Sequence, residues 1–360
     1  MTHSVYIHIP FCSDICSYCD FCKIFYNDKL VDSYLSELET EIKSRYKNEI
    51  INTIYIGGGT PSSLNSLQLK KLFNILKIFK TEDLEFTFEC NIENISLAKL
   101  KLLKKNGVNR ISVGVQTLNE KYINLLNRHH NKKKVQDQIN LIKQYFNNIN
   151  IDLIYAIPGQ TIEELDDDLE FVLKLDIEHI STYSLIIEEH TKLFVDGCES
   201  LDEDLDSSMY KHICKKLEKC GFSHYEISNF AKKGFESKHN LVYWNNMEYY
   251  GFGLGASGYI NSIRYDNTRS MNNYFRGNYE LNSHKLEIKE KIENEFILGL
   301  RKIKGINKQD FFRKYNFNIY NYKNVKEMLN NKRLIDDGDN IYINPEFIYT
   351  SNNILINFLD

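Results

Sequence analysis

The stretch VYIHIPFCSDICSYCDFC, residues 5–22, joins a short apolar segment to four cysteines that lie within eleven residues. The first three, Cys12, Cys16 and Cys19, have the spacing C-x3-C-x2-C. Thiolates are soft ligands that suit iron–sulfur clusters and zinc. Three closely spaced cysteines can bind three corners of a four-iron cluster and leave one iron open, as a reactive metal centre requires. The pattern therefore predicts a [4Fe-4S] cluster on this loop.

Zinc, a disulfide framework and unrelated buried cysteines are the alternatives. Structural zinc sites usually combine two C-x2-C pairs across a longer gap, and no second pair follows here. Disulfides are typical of small secreted domains, whereas this chain has 360 residues and begins without a signal-peptide pattern. Cys22 can be a fourth ligand, a redox thiol or a packing residue, and we favour a non-ligand.

The composition of the chain limits the kinds of binding partner and the cellular compartment that we expect. The net charge of −4 gives no general attraction to nucleic acid or to an anionic membrane. The chain contains no run of 18 apolar residues, so we predict no membrane span. We therefore expect a cytoplasmic protein in which part of the eight cysteines binds metal.

Apolar runs and amphipathic patterns alternate through the first half of the chain. Near-continuous apolar strands separated by helices predict a parallel sheet covered by helices. A closed eight-stranded barrel needs roughly 250 residues, so six units favour an α/β fold with a partial (βα)6 TIM-type barrel over residues 1–200. Residues 201–360 are predicted to form a second domain that ends in a smaller α+β part of winged-helix type, with a hairpin at 337–339. The predicted strands are 5–9, 51–56, 84–90, 110–116, 149–156 and 179–187.

Polar and glycine-rich residues follow the predicted strands, at the edge where such folds collect their chemistry. The three glycines at 57–59 let a ligand approach the backbone closely. Glu89 could accept hydrogen bonds from an ammonium group, and Arg128 could hold a carboxylate. Gln116 and Asp152 could bind hydroxyls such as those of a ribose. An amino acid joined to a nucleoside, as in S-adenosylmethionine, fits this set.

In this order and spacing, the motifs resemble the radical S-adenosylmethionine superfamily, and within it the group related to oxygen-independent coproporphyrinogen III dehydrogenase. The resemblance rests on YIHIPFCxxxCxYCDF, GGGTPS, GVNRISVGVQT, DLIYAIPGQT and HNLVYW, and it covers nearly the whole chain. It implies a [4Fe-4S] cluster on Cys12, Cys16 and Cys19, with S-adenosylmethionine chelating the fourth iron and supplying the radical chemistry. It also implies cofactor contacts for Tyr6, Tyr18, Gly58, Gly59, Thr60, Glu89, Gln116, Arg128 and Asp152.

Two branches of that group differ near the cluster. The dehydrogenase carries a longer segment before the cluster and a fourth cysteine spaced C-x-C after the third. Here eleven residues precede Cys12, and Cys22 comes one position too late. Both differences are similar to a branch of heme chaperones that is often misnamed as the dehydrogenase. His239-Asn240-x-x-Tyr243-Trp244 is similar to the HNxxYW motif of that branch and implies heme ligation by His239, for which a buried structural histidine is the alternative.

The resemblance implies a heme chaperone that binds heme and passes it to an acceptor protein, either respiratory or membrane-associated. An electron donor such as flavodoxin or ferredoxin is expected, and no nucleic-acid partner. The alternative is the dehydrogenase, which decarboxylates the propionates of coproporphyrinogen III, so whether the chain is an enzyme stays open. A monomer and a dimer are both compatible with the sequence.

Overall fold

Six parallel strands, hydrogen-bonded in chain order, form the centre of a twelve-stranded sheet. The structure is a computed structural model and describes residues 2–359. The predicted strand 110–116 has the predicted bounds, and the other five differ from prediction only at their ends. The elements of this half are β1 Thr2–Ile9, β2 Phe11–Cys12, β3 Ile24–Phe25, α1 Asp28–Arg45, β4 Ile50–Gly58, α2 Ser66–Leu76, β5 Lys80–Asn91, α3 Leu97–Lys105, β6 Arg110–Gln116, α4 Glu120–Leu125, α5 Lys132–Lys143, β7 Ile149–Tyr155, α6 Ile162–Lys174, β8 His179–Ser184 and α7 Lys192–Val195.

The two faces of these parallel strands differ in chemistry. Ile54, Phe88, Val113 and Ile151 belong to the main hydrophobic core. The alternate positions of the same strands carry polar side chains that are also buried. The prediction of near-continuous apolar strands is therefore wrong, because apolar and polar side chains alternate along each strand with a period of two residues. The buried polar residues include Thr53, Glu85, Thr87, Arg110, Ser112, Asn150, His179 and Ser181. The sheet therefore has one apolar face and one face with an unusually polar buried surface.

The second half of the chain extends the same sheet at both edges. After β1 come β11, paired with it in parallel, and then three antiparallel strands; after β8 come β10 and β9. Strands β1 and β8 are thus not joined to each other, and the barrel is open, in agreement with the α/β prediction. The elements are α8 Glu203–Lys219, β9 Ser223–Glu226, β10 Asn229–Ala231, α9 Lys238–Trp244, β11 Tyr249–Phe252, β12 Ser257–Ile260, β13 Ile263–Asn267, α10 Met271–Tyr274 and β14 Glu280–Lys285.

A smaller α+β unit follows, and it contains the predicted hairpin. Its three-stranded sheet has the order β15-β17-β16, and Phe296, Phe311 and Phe358 pack together in its core. The boundary at residue 200 stays a prediction, and the large sheet crosses it. In the part of the chain that the structure describes, none of the helices has the length and apolar character needed to cross a bilayer. The elements are α11 Ile288–Gly299, β15 Ile306–Asn307, α12 Lys308–Tyr315, α13 Val325–Asn330, β16 Leu334–Asp336, β17 Asn340–Ile343 and α14 Ser351–Leu355.

Candidate cofactor site

A cavity of about 390 Å³ opens at the carboxyl ends of the parallel strands, where such sheets bind their ligands. Strands β4 to β8 and the loop after β1 all contribute to its wall. The sequence-predicted residues that line it are Cys12, Cys16, Tyr18, Cys19, Gly58, Gly59, Thr60, Glu89, Gln116, Arg128 and Asp152. The fold therefore brings together side chains that are 140 residues apart in the sequence.

The cysteine loop is fixed to the barrel at several points along its length. The N–H of Ile24 donates to the oxygen of Pro10 at 2.7 Å, and that of Tyr26 donates to the oxygen of Cys12 at 2.9 Å. The N–H of Ser17 donates to the oxygen of Leu126 at 3.2 Å. Backbone hydrogen bonds therefore hold the loop against the barrel at both ends and at Ser17.

The three predicted ligands fit a polynuclear cluster. Cys12, Cys16 and Cys19 are free thiols that border one cavity. Among residues 2–359, no three His, Cys, Asp or Glu side chains are grouped closely enough to hold a single ion. Thiols that surround a cavity suit a cluster with several irons better than one zinc ion, whose ligands meet at a point.

Each glycine at 57–59 is required by a different neighbour. A Cβ on Gly57 would lie 2.7 Å from Glu89 Oε1, and one on Gly59 would lie 2.9 Å from Cys12 Sγ. Gly58 has φ +114, and a Cβ there would lie 2.5 Å from the ring of His8. The glycines thus let strand β4 run directly against the cysteine loop and against the carboxylate on β5.

Glu89 is the buried acid of the cavity. Its Oε1 accepts a hydrogen bond from the Tyr55 hydroxyl at 2.7 Å, and its Oε2 accepts one from the N–H of Gly58 at 3.1 Å. Burial, with a smaller contribution from nearby Asp152, raises the pKa of Glu89 to about 7, against the opposing effect of these two hydrogen bonds. A cationic ligand would stabilise the ionised form.

Asp152 lies two strands away on the same polar face. Its oxygens accept hydrogen bonds from Asn150 Nδ2 at 2.7 Å and from the Ser112 hydroxyl at 3.3 Å. Burial raises the pKa of Asp152, and these hydrogen bonds oppose the shift. The carboxylate can therefore accept hydrogen bonds from hydroxyl groups of a ligand.

Arg128 connects the cysteine loop to the sheet. Its Nη1 lies 3.4 Å from Cys16 Sγ, and its Nη2 donates to the oxygen of Gly114 at 2.7 Å. Glu93, 3.9 Å from Nη2, supplies the counter-charge. Nearby Gln116 has φ 72 at a register shift between β6 and β7, and such irregular backbone re-aims a side chain at the end of a strand.

Tyr6 and His239 lie outside the cavity wall. The Tyr6 hydroxyl shares a 2.9 Å hydrogen bond with His8 Nδ1. The His239 ring is 1% exposed, with Nδ1 2.7 Å from Thr53 Oγ1 and Nε2 2.8 Å from the Tyr243 hydroxyl. Both ring nitrogens are therefore engaged inside the protein. This placement agrees with the structural histidine that the sequence left open, and heme ligation by His239 stays a prediction.

The HNLVYW segment, residues 239–244, forms most of α9, which begins on a carboxylate of the sheet. Glu85 Oε1 accepts from the N–H of His239 at 2.9 Å, and Oε2 accepts from that of Lys238 at 2.9 Å. A carboxylate at a helix N-terminus satisfies otherwise unpaired N–H groups. The motif is thus anchored against the polar face of the sheet.

Several residues of the wall were not predicted as cofactor contacts. Tyr55, Asn91, Ser112 and Tyr183 line the cavity with the predicted set. The signal that could have found three of them is the alternation along each strand, since Tyr55, Ser112 and Tyr183 lie on the same polar face as Thr53, Asn150 and Ser181.

Comparison with known proteins places this site in a class. Residues 6–172 match the Radical SAM superfamily. The chain is 41% identical to the heme chaperone HemW of Lactococcus lactis, over 99% of this chain and 97% of that protein. It is 40% identical to the heme chaperone HemW of Bacillus subtilis, over 99% of both chains. Among solved structures, coproporphyrinogen III oxidase (HemN) from Escherichia coli superposes with a TM-score of 0.87 at 22% identity, covering 99% of this chain and 89% of that one.

The fold, the cysteine loop and the cavity are thus those of a radical SAM protein. Within that superfamily, the chain belongs to the HemW family.

Proposed function

We propose that this protein is a heme chaperone, which binds heme and transfers it to an acceptor protein, and which carries a [4Fe-4S] cluster and S-adenosylmethionine. The observation that carries the proposal is the identity of 41% and 40%, over almost the whole chain, with two proteins named heme chaperone HemW. A match of this extent includes both the cavity and the C-terminal unit.

The residues of the cavity support the two cofactors. Cys12, Cys16 and Cys19 would hold the cluster. The cluster, when bound, would supply the one-electron chemistry on S-adenosylmethionine. Glu89 would accept hydrogen bonds from the ammonium group, and Asp152 would accept them from ribose hydroxyls. Gly58, Gly59, Thr60, Gln116, Arg128 and Tyr18 would complete the cofactor contacts.

Cys22 supports the chaperone branch. Cys22 is not part of the cavity wall. It packs against Gly255 so closely that a Cβ added to this glycine would lie 2.6 Å from the Cβ of Cys22. Its backbone oxygen shares a 2.8 Å hydrogen bond with His8 Nε2. We therefore assign Cys22 a packing role and not a ligand role. The likeness to HemN at 22% identity concerns the fold, so it does not favour the dehydrogenase.

The partners belong to the same proposal. The acceptor would be a respiratory or membrane-associated heme protein, and a flavodoxin or ferredoxin would supply electrons in the cytoplasm. The chain would act as a monomer or as a dimer.

The test uses the full chain with a reconstituted cluster under anaerobic conditions. Hemin is added, and transfer to an apo-hemoprotein is followed by the change in the Soret band. In parallel, coproporphyrinogen III is supplied with S-adenosylmethionine and a reductant. We expect transfer of heme without turnover, and formation of protoporphyrinogen would overturn the proposal.

Cluster assignment is tested separately by iron content. Cys16→Ala should lose most of the iron and the brown colour, whereas Cys220→Ala, at an exposed cysteine of another region, should retain both. Cys22→Ala should also retain the iron. A Cys16→Ala protein with full iron content would contradict the assignment.

A further inference from the structure

His130 is a buried histidine in the loop between α4 and α5. Its side chain is 0% exposed, yet it does not belong to the cavity wall or to the predicted cofactor contacts. Buried polar side chains are normally hydrogen-bonded or paired, so the partners of this ring indicate what it does. Its two ring nitrogens contact two different segments that lead into the cavity.

The first contact of His130 fixes the backbone that follows β6. Its Nε2 lies 3.0 Å from the oxygen of Thr117, and because a carbonyl oxygen only accepts, Nε2 carries a proton. The Thr117 hydroxyl donates to Asp168 Oδ2 at 2.6 Å. Thr117 directly follows Gln116, whose φ of 72 lies in the left-handed region. His130 and Asp168 thus hold the turn that carries Gln116.

The second contact of His130 is with Glu93, in the turn that follows β5. Nδ1 of the ring lies 3.5 Å from Glu93 Oε1. Both atoms are buried, and within residues 2–359 neither has a hydrogen-bond partner elsewhere. Because Nε2 already carries a proton, Nδ1 attracts the carboxylate only when it is protonated as well. The attraction between the two side chains therefore belongs to the imidazolium form of the ring.

Glu93 connects His130 to Arg128. Its Oε2 lies 3.9 Å from Arg128 Nη2, which also donates to the oxygen of Gly114 at 2.7 Å. The other guanidinium nitrogen, Nη1, lies 3.4 Å from Cys16 Sγ. Although burial opposes the shift, pairing with His130 and Arg128 lowers the pKa of Glu93 to about 2. The carboxylate is therefore ionised at neutral pH and serves both cations.

We propose that His130 is a positioning residue that holds two of the predicted cofactor contacts in place. Its bond to Thr117 holds Gln116. Its contact with Glu93 holds Arg128. The inference rests on the proposed function, because that function assigns S-adenosylmethionine to the cavity that Gln116 and Arg128 line. Gln116 serves the ribose hydroxyls and Arg128 the carboxylate, so one ring fixes the residues for the two ends of the ligand.

Calorimetric titration of the full chain with its reconstituted cluster tests the positioning. His130→Ala should bind S-adenosylmethionine about tenfold more weakly, because both contacts of the ring are lost. His129→Ala is the matched control: this neighbouring histidine is exposed and lies 3.8 Å from Asp14, so its loss should leave the affinity unchanged. Equal affinity of His130→Ala and the unaltered protein would overturn the proposal.

Two conservative substitutions separate positioning from a general loss of packing. The amide nitrogen of glutamine can replace Nε2, and that of asparagine can replace Nδ1. His130→Gln should weaken binding of S-adenosylmethionine but not of 5′-methylthioadenosine, which has the ribose and lacks the carboxylate. His130→Asn should weaken binding of both molecules. If each variant weakened the two ligands to the same extent, the ring would act only through packing and the proposal would fail.

Glu93→Gln provides the same test from the other partner, in case His130→Ala does not fold. It keeps the size of the side chain and removes the counter-charge of Arg128, so it should weaken S-adenosylmethionine and spare 5′-methylthioadenosine, as His130→Gln does. Equal loss of both ligands in Glu93→Gln would contradict the link from His130 to Arg128. If the unaltered protein with its cluster fails to bind S-adenosylmethionine, the proposed function fails and not merely the role of His130.

Discussion

The rings of His239 and Tyr55 lie against each other with their centroids 5.1 Å apart and their planes inclined by 30°. Tyr55 in turn donates its hydroxyl proton to Glu89 at 2.7 Å. The histidine of the HNLVYW segment therefore braces the tyrosine that orients the acid of the cofactor cavity. Its ring contributes to the site by packing against Tyr55.

His239→Ala should lower the free energy of unfolding by about 3 kcal/mol, since it leaves a cavity and two buried hydroxyl groups without partners. Urea denaturation measures this loss, and His284→Ala, at an exposed histidine, serves as the control. Hemin affinity, measured on folded protein at low temperature, should change less than twofold. A variant of normal stability that has lost hemin binding would contradict the bracing role.

Glu85→Ala should destabilise the protein by about 2 kcal/mol, because three hydrogen bonds from residues 237–239 lose their acceptor at the start of α9. Thermal unfolding compares it with Glu82→Ala, an exposed glutamate of the same strand. Equal melting temperatures for the two variants would show that the carboxylate does not anchor this helix.

Gly59→Ala should abolish cluster assembly, since its Cβ would lie 2.7 Å from the carbonyl carbon of Pro10 and 2.9 Å from Cys12 Sγ. Iron content after reconstitution is the measurement. Gly107→Ala is the matched control: its Cβ would enter open space at a φ of +88, so it should lose about 1 kcal/mol of stability but no iron. Full iron content in Gly59→Ala would contradict the close approach of β4 to the cysteine loop.

S-adenosylmethionine should bind more tightly as the pH rises toward 7. The pKa of Glu89 is raised to about 7 by burial, so below that pH the acid is largely protonated and cannot pair with the ammonium group. Affinity should rise by up to tenfold per pH unit below 7 and level off above it. Calorimetry between pH 5.5 and 8 measures this, and Glu89→Gln should remove most of the dependence. An unchanged slope in that variant would assign the titration to another group.

The raised pKa of Glu89 makes the free energy of unfolding fall with rising pH, whereas the affinity for S-adenosylmethionine should rise. A carboxyl whose pKa is higher in the folded state than in the unfolded state binds more protons when folded. Its contribution to stability is therefore largest at low pH and is lost as the pH rises from about 4.5 toward 7. Bound S-adenosylmethionine should offset this loss, because it favours the ionised form.

Local patterns predicted the six parallel strands and the hairpin, and together with the family resemblance they predicted eleven of the residues that line the cavity. Cysteine spacing, glycine runs and the alternation of strands with helices are all local features of the sequence, and parallel strands bring their carboxyl ends to the same edge of the sheet. The positions of Tyr6 and His239 were not predictable in this way. Whether a ring points into a cavity or into the interior depends on partners such as Thr53 and Glu85, more than 150 residues away from His239 in the chain.

The pairing of β11 with β1 was also beyond local reasoning. Strand β11 has only four residues, 249–252, and one of them is glycine. Only the tertiary structure shows that this strand pairs with β1, which leads into the cysteine loop.

That pairing also has a consequence for biosynthesis. Tyr6 on the first strand aligns with Gly251 on the eleventh, so the strand that leads into the cysteine loop acquires its outer neighbour only after some 250 residues have been made. Until then a nascent chain presents β1 as an unpaired edge, which is open to pairing with other polypeptides. The long sequence separation also makes this contact a slow one to form. If the cluster were inserted while the second half of the chain was still being synthesised, the cysteine loop would lack the support of β11. We therefore expect the cluster to be inserted after synthesis of the chain is complete.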